Sequence, residues 1–223
     1  VSEAVGTDIV EALSPVPGKK TCAVQVDGES FEVAQSVVES LGLTLGSTLT
    51  GLQKHALQTA ARKRAAAASA LRYLQGRPRT AREVARHLDD KGHDPEAVQA
   101  VLADLQTQGV VDDRRFAAWY VEARLGHRPT GRVRLVQEMT ERGIERGIAE
   151  GATETQLDED TEWRLARRAA ARRHASLRGL PPDKAKRRLA SFLAGRGFPM
   201  EIVRRLCLEE FDGLRDDREA AGE

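Results

Sequence analysis

Along most of this chain, apolar residues recur at intervals of three and four, the period of helices with one buried face. Near the start the pattern is different. The stretch "CAVQVDGESFEV" alternates apolar and polar residues and predicts a hairpin. Asp27-Gly28 suits its two-residue turn, and Cys22, Val24, Val26, Phe31 and Val33 share one face. Ala34, Val37, Val38 and Leu41 then switch to helical spacing, with Gly42 as the stop. Residues 1–20 carry no such signal and read as a loose lead-in. Residues 21–60 read as a small ββα element running into a long helix, and the element needs something to pack on because a lone hairpin is marginal.

From Leu52 to Gln75 the spacing predicts one alanine-rich helix, stopped by Gly76 and Pro78. Thr80 and Glu83 form a capping box that opens a helix carrying Val84 and Leu88. Asp94 and Pro95 start the next, with Val98, Val101, Leu102 and Leu105 as its stripe. Asp112 or Asp113 caps a helix bearing Phe116, Trp119 and Tyr120, and another follows through Leu135 and Met139. "IERGIAEGATE" reads as a poor helix, because Gly147 and Gly151 each cost about 1 kcal/mol relative to alanine. The last block predicts a helix through Trp163 to about Ser176, one capped by Asp183 through Leu189 and Leu193, and one holding Ile202, Val203 and Leu206.

One phrase recurs. Gly92, Gly143 and Gly197 each follow a basic residue, Lys91, Arg142 or Arg196. Four positions before them stand Leu88, Met139 and Leu193; eight before stand Val84, Leu135 and Leu189. The glycines fall where a helix ends in a left-handed residue. A repeat of roughly 50 residues is the mark of tandem modules that stack because one alone cannot bury its apolar face. The fold class is therefore mainly α: three tandem three-helix modules at 61–110, 111–156 and 157–211, in an elongated curved array, with the β-hairpin/helix element before them and an acidic tail at 212–223.

Composition changes this picture in one respect. The net charge of +1 predicts nothing about partners, but its distribution does. Residues 62–86 carry eight Lys or Arg against Glu83 alone, and 161–208 carry thirteen against Glu162, Asp183 and Glu201, so basic faces are expected. With aromatics at 4%, base stacking is not expected to be the main grip on any nucleic acid. The chain has no phosphate-binding loop, and its five histidines and two cysteines lack metal-ligand spacing. Asp112–Asp113 read as a helix start rather than as catalytic carboxylates, because neighbouring residues there point to different sides. These features predict a protein without cofactor, metal or enzymatic activity. The start lacks a basic leader followed by an apolar run, and no span of membrane length is present, so a reduced, cytoplasmic setting is expected.

The run "GVVDDRRFAAWYVEARLGHRPTGRVRLVQEMTERGI" closely resembles the RecX regulatory proteins of bacteria, through Gly109, Asp112, Asp113, Arg115, Phe116, Ala117, Val121, Arg124, Gly131, Arg134, Leu135, Glu138, Gly143 and Ile144. "RTAREVARHLDDKG" and "RRLASFLAGRGF" fit the first and third modules of the same family. The resemblance covers about residues 66–210. It implies three three-helix modules, no catalysis, and a role in DNA repair and recombination. The implied partner is the RecA recombinase filament on DNA. Such a protein lies in the filament groove, lowers ATPase and strand exchange, and opposes filament growth; direct contact with DNA is also implied.

Candidate contact residues are Arg72, Arg77, Arg79 and Arg82 in the first module and Arg124, Arg128, Arg132 and Arg134 in the second. Arg167, Arg168, Arg172, Lys186 and Arg187 stand in the third. The second set lies in and beside the loop before its middle helix, where side chains are expected to be free. Stacked modules would align all three sets into a stripe able to track phosphates or an acidic groove. Asp113, Phe116, Gly92, Gly143 and Gly197 are expected to be structural. The protein is expected to be a monomer. Two other readings use the same residues: a sequence-specific DNA-binding protein with helix-turn-helix-like modules acting as a transcription factor, and a plain helical adaptor.

Overall fold

The computed structural model describes residues 8–18 and 20–211. The acidic tail at 212–223 lies outside the described residues, as do residues 1–7 of the lead-in. The chain divides into two units, Val1–Val111 and Asp112–Glu223.

The first unit opens with three antiparallel strands in sequence order: β1 (Val10–Pro15), β2 (Thr21–Val26) and β3 (Glu29–Ala34). The hairpin is as the alternation predicts. Asp27 and Gly28 both have positive φ, 48° and 77°, which matches the right-handed twist of the strands they join. Cys22, Val24, Val26 and Val33 are buried. The lead-in, however, is not loose, since β1 pairs with β2 along its length. The outer edge of β1 is also occupied. Val10 N donates to Ser47 O at 2.9 Å, Gly46 N to Val10 O at 2.9 Å, and Leu49 N to Asp8 O at 2.7 Å. Lys54 pairs with Asp8 and, at 3.4 Å, with Asp27. A segment without alternation thus becomes a strand because both of its edges find partners, β2 on one side and the Gly46–Leu49 segment on the other.

After the short helix α1 (Gln35–Ser40), α2 (Gly51–Leu74) serves two cores. Its first half places Leu57 against Val10, Val24, Val26 and Val33. Its second half places Ala66 and Ala70 against Val84, Leu88, Val98, Val101 and Leu105. These last come from α3 (Ala81–Asp90) and α4 (Pro95–Thr107). Alanine along α2 lets both neighbours approach closely and is the strongest helix former. The caps read from the sequence are present: Thr80 with Glu83, and Asp94 accepting from Ala97 N at 3.1 Å.

The second unit holds α5 (Asp113–His127), α6 (Arg132–Glu141), α7 (Arg146–Gln156), α8 (Glu159–His174), α9 (Pro182–Gly195) and α10 (Met200–Phe211). Three expectations change here. The region of Gly147 and Gly151 is a regular helix. Both glycines face solvent, while Ala149 and Thr153 are buried and Ile148 and Ala152 pack beside them, so tertiary packing overrides propensity. The cap of α5 is Asp112, which accepts from Arg114 N and Arg115 N at 2.9 and 3.0 Å; Asp113 is the first helical residue. Asp183 does not cap α9, whose N-terminal boundary is Pro181 with Pro182 in the first turn.

Each module contributes a core of its own. The cores centre on Val84, Leu88 and Val101 in the first, Phe116, Leu135 and Met139 in the second, and Leu189, Leu193 and Leu206 in the third. Leu165 of α8 packs against both the second and third cores.

Candidate functional site

The basic side chains expected to form one stripe fall into two groups with different chemistry. In the third module, Arg167, Arg168 and Arg172 stand exposed on α8, opposite its buried Ala166, Ala169 and Ala170. Arg187 is exposed on α9 and donates to Asp183 O at 3.3 Å; Lys186 is half-buried. Asp158 caps α8, acids fill its first turn, and Arg172, Arg173 and His174 fill its last. The helix dipole accounts for basic residues at that end. It does not account for Arg164, Arg167 and Arg168 in mid-helix, where like charges three and four apart cost about 0.2–0.5 kcal/mol per pair.

In the first module, Arg72, Arg77 and Arg82 are exposed. Arg79 is half-buried, its guanidinium 4.1 Å from the centre of the Tyr73 ring. The other neighbour of that ring is His87, stacked at 4.0 Å and 3° from parallel.

The second-module arginines are not a free set. Arg124 grips Glu138 with two bonds, Nε to Oε2 at 2.8 Å and Nη2 to Oε1 at 2.6 Å. Tyr120 Oη donates to the same carboxylate at 2.7 Å, and Arg134 Nε at 2.8 Å. Arg134 also donates from Nη1 to Gly195 O at 2.9 Å. Arg132 donates to Glu162 from its backbone N at 2.7 Å and from Nε at 2.5 Å. Only Arg128 of the four is exposed without a side-chain partner among the described residues. The loop before α6 is therefore a joint inside the fold. Sequence reasoning missed both carboxylates: Glu138 lies one turn beyond Arg134, but Glu162 is thirty residues from Arg132 with nothing local to mark it.

The charge network has a measurable signature. The Arg124 fork beside Glu138, helped by Arg134 and Tyr120, holds its carboxyl at about 2 against an ordinary 4.5. Burial, and the hydrogen bond to Glu138, push the Tyr120 hydroxyl above its usual value. A carboxyl depressed on folding stabilises the protein above its unfolded pKa and loses that contribution as pH falls through the folded one. Between pH 4.5 and 2, Glu138 is thus expected to withdraw about 2 kcal/mol of stability, discounted for its partial exposure. Urea unfolding across that window checks this: Glu138→Gln should flatten the acid limb, and an unchanged limb would remove Glu138 as its source.

The glycine turns complete the joint. Gly92, Gly143 and Gly197 have φ of 76°, 91° and 80°. At Gly197 the chain also touches the start of α6: Gly131 N donates to Arg196 O at 3.0 Å and Val133 N to Gly197 O at 3.1 Å. A Cβ on Gly131 would lie 2.2 Å from Gly197 O. Phe116 is buried, in one core with Leu135 and Met139 of α6. Among the described residues no group of three or more His, Cys, Asp or Glu is placed to hold a metal ion, and no helix is long and apolar enough to cross a membrane.

Three domain models of one family match the chain in order: the first three-helix domain of RecX at residues 66–105, the second at 112–152 and the third at 160–207. Together they cover more than half of the chain. A regulatory protein RecX of Halorhodospira halophila is 39% identical over 137 residues, spanning 61% of this chain and 82% of that protein. The chain belongs to the RecX family. A regulatory protein RecX of Streptomyces coelicolor is 34% identical over 158 residues, or 71% of this chain and 84% of the relative. A crystal structure of a regulatory protein RecX superposes with a TM-score of 0.76 at 24% identity, covering 88% of this chain and 97% of that one. RecX from Lactobacillus salivarius gives 0.62 at 19% identity over 68% of this chain and 97% of that one. Both support the fold. The first reaches further than residues 66–223 could supply, so part of the N-terminal region is shared with that RecX structure. The RecX fold here is thus three helical modules preceded by a small β element.

Proposed function

We propose that this protein regulates the RecA recombinase by lying in the helical groove of its filament, lowering ATPase and strand exchange and opposing filament growth. Membership of the RecX family carries the choice of target. The charge pattern supports the manner of binding. Arg77 and Arg82 of the first module and Arg167, Arg168 and Arg172 of the third are exposed without a side-chain partner among the described residues, which supports a meeting with an acidic groove or phosphates, while Arg124, Arg132 and Arg134 of the second are engaged within the fold. Such a protein acts by occupying a surface as a monomer, without a cofactor and without bond-making chemistry of its own.

The test is ATPase of the recombinase on single-stranded DNA, titrated with this protein. Substoichiometric amounts should lower the rate, and the effect should weaken as salt screens the contact. Arg167→Glu/Arg168→Glu should raise the half-inhibiting concentration at least about tenfold, since two charge-assisted contacts are reversed. A flat titration, with no co-sedimentation at low salt, would reject the reading in favour of the sequence-specific DNA-binding alternative.

A further inference from the structure

The glycine turn of the first module departs from the other two at one position. The residue after the glycine is Ile144 in the second module and Phe198 in the third, both buried at 3% and 2% exposure. That is the usual arrangement, because the residue after a left-handed helix end folds back onto the helix and packs there. In the first module the same position is His93, and it lines a cavity of about 490 Å³. The backbone turn itself is unchanged, with His93 N donating to Leu88 O at 3.1 Å.

Ser69, Arg72, Tyr73, His87 and Lys91 line the remainder of this cavity. No carboxylate contributes to its wall. Arg72, Lys91 and His93 have no ion-pair partner among the described residues, and the nearby Asp90 lies 4.0 Å from Arg86. Two helix ends meet here, and their negative dipole poles account for some basic residues: Arg72 and His87 both stand in last turns. They do not account for the rest. Ser69 is 7% exposed, lines the cavity and has no side-chain hydrogen-bond partner among the described residues. Beside it, Arg79 Nε, in the guanidinium stacked on Tyr73, is buried with no hydrogen-bond partner among the described residues, and such an atom is costly unless something enters to bond it. The cavity is bordered by a column of planar groups, the Arg79 guanidinium, the Tyr73 ring and the His87 ring.

We propose that this cavity is a binding site for a nucleotide unit: its phosphate is held by Arg72, Lys91 and His93 with the Ser69 hydroxyl, and its base extends the planar column at His87. The shared chemistry is a phosphate beside an aromatic ring, which a free nucleotide and a nucleic-acid strand both supply. The site lies wholly in the first module and does not depend on binding to a recombinase.

The whole chain, isotope-labelled, is titrated at low salt with inorganic phosphate, deoxyadenosine monophosphate and a short oligothymidylate strand, following the imidazole resonances of His87 and His93. The nucleotide or the strand should shift both, and inorganic phosphate should require a much higher concentration. Saturation by the mononucleotide assigns the site to free nucleotides; a shift with the strand alone assigns it to a polynucleotide. Arg72→Gln/Lys91→Gln should weaken binding about tenfold or more, as expected for lost hydrogen bonds to a charged group, with circular dichroism unchanged. Lys91→Gln alone should do so in part and serves if the pair does not fold. Shifts absent with all three ligands, inorganic phosphate as effective as the nucleotide, or affinity unmoved in a folded variant would each overturn the site.

Discussion

Gly197→Ala is expected to lower the melting temperature by roughly 10 °C, while Gly92→Ala lowers it by only a few degrees. The two glycines occupy the same place in the repeat and share the same backbone conformation, with φ of 80° and 76°. Both substitutions therefore incur the left-handed cost of about 1 kcal/mol. The difference lies in what surrounds them. A Cβ at Gly92 meets nothing within 4 Å, whereas one at Gly197 would lie 2.3 Å from Arg134 Cβ and 2.4 Å from Arg134 N. Those are atoms of a helix backbone and the root of a side chain, which cannot swing aside. Relief requires α6 and the Gly197 turn to separate, which would also stretch the bonds from Gly131 N to Arg196 O and from Val133 N to Gly197 O. Calorimetry of the two variants decides the matter. Equal shifts would mean that the close approach of α6 to this turn contributes no stability.

What the repeat announced and what it concealed follow from the same physics. Leu88, Met139 and Leu193 are all fully buried, because a helix-period stripe ending in glycine leaves a single way to turn inward. Hydrophobic period and cap chemistry are local, so most helices were legible one by one; α7 was not, because packing of Ala149 and Thr153 outweighs its glycines. Strand β1 was not, because it has no alternation to announce its pairing with β2, and its other edge is met by Gly46, Ser47 and Leu49, more than thirty residues away. The joint was also hidden. In a chain with 31% charged residues, an arginine has many possible carboxylates, and the sequence cannot tell Glu162 from the acids around it. Arg124, Arg132 and Arg134 looked like a surface set for that reason. The same glycine phrase does two jobs, ending a helix in every module and, at Gly197 alone, seating a second helix.

Glu162→Gln is expected to destabilise the second unit by about 2–3 kcal/mol, less than the cost of breaking a fully buried ion pair because Arg132 is 36% exposed. Glu162 is completely buried on α8, in the third module, and both of its oxygens are used by Arg132 of the second. One bond comes from the Arg132 backbone, in the first turn of α6, whose N-cap Gly131 has no side chain to offer. The carboxylate thus caps α6 from another module and meets the positive pole of its dipole. Glutamine keeps the shape and one acceptor but leaves the Arg132 guanidinium without its counter-charge. Leu165, three residues along α8, packs into both cores, so the loosened ion pair and the hydrophobic bridge act on the same boundary. Because Glu162 and Gly197 support the same joint, the double variant Glu162→Gln/Gly197→Ala should cost less than the sum of the two singles. Denaturant unfolding should show the loss in the second unit, reported by Trp119 and Trp163, both of which lie there. A Glu162→Gln protein within about 1 kcal/mol of the parent, where surface pairs fall, would show that the two modules are held by the Gly131–Gly197 contact without the charge.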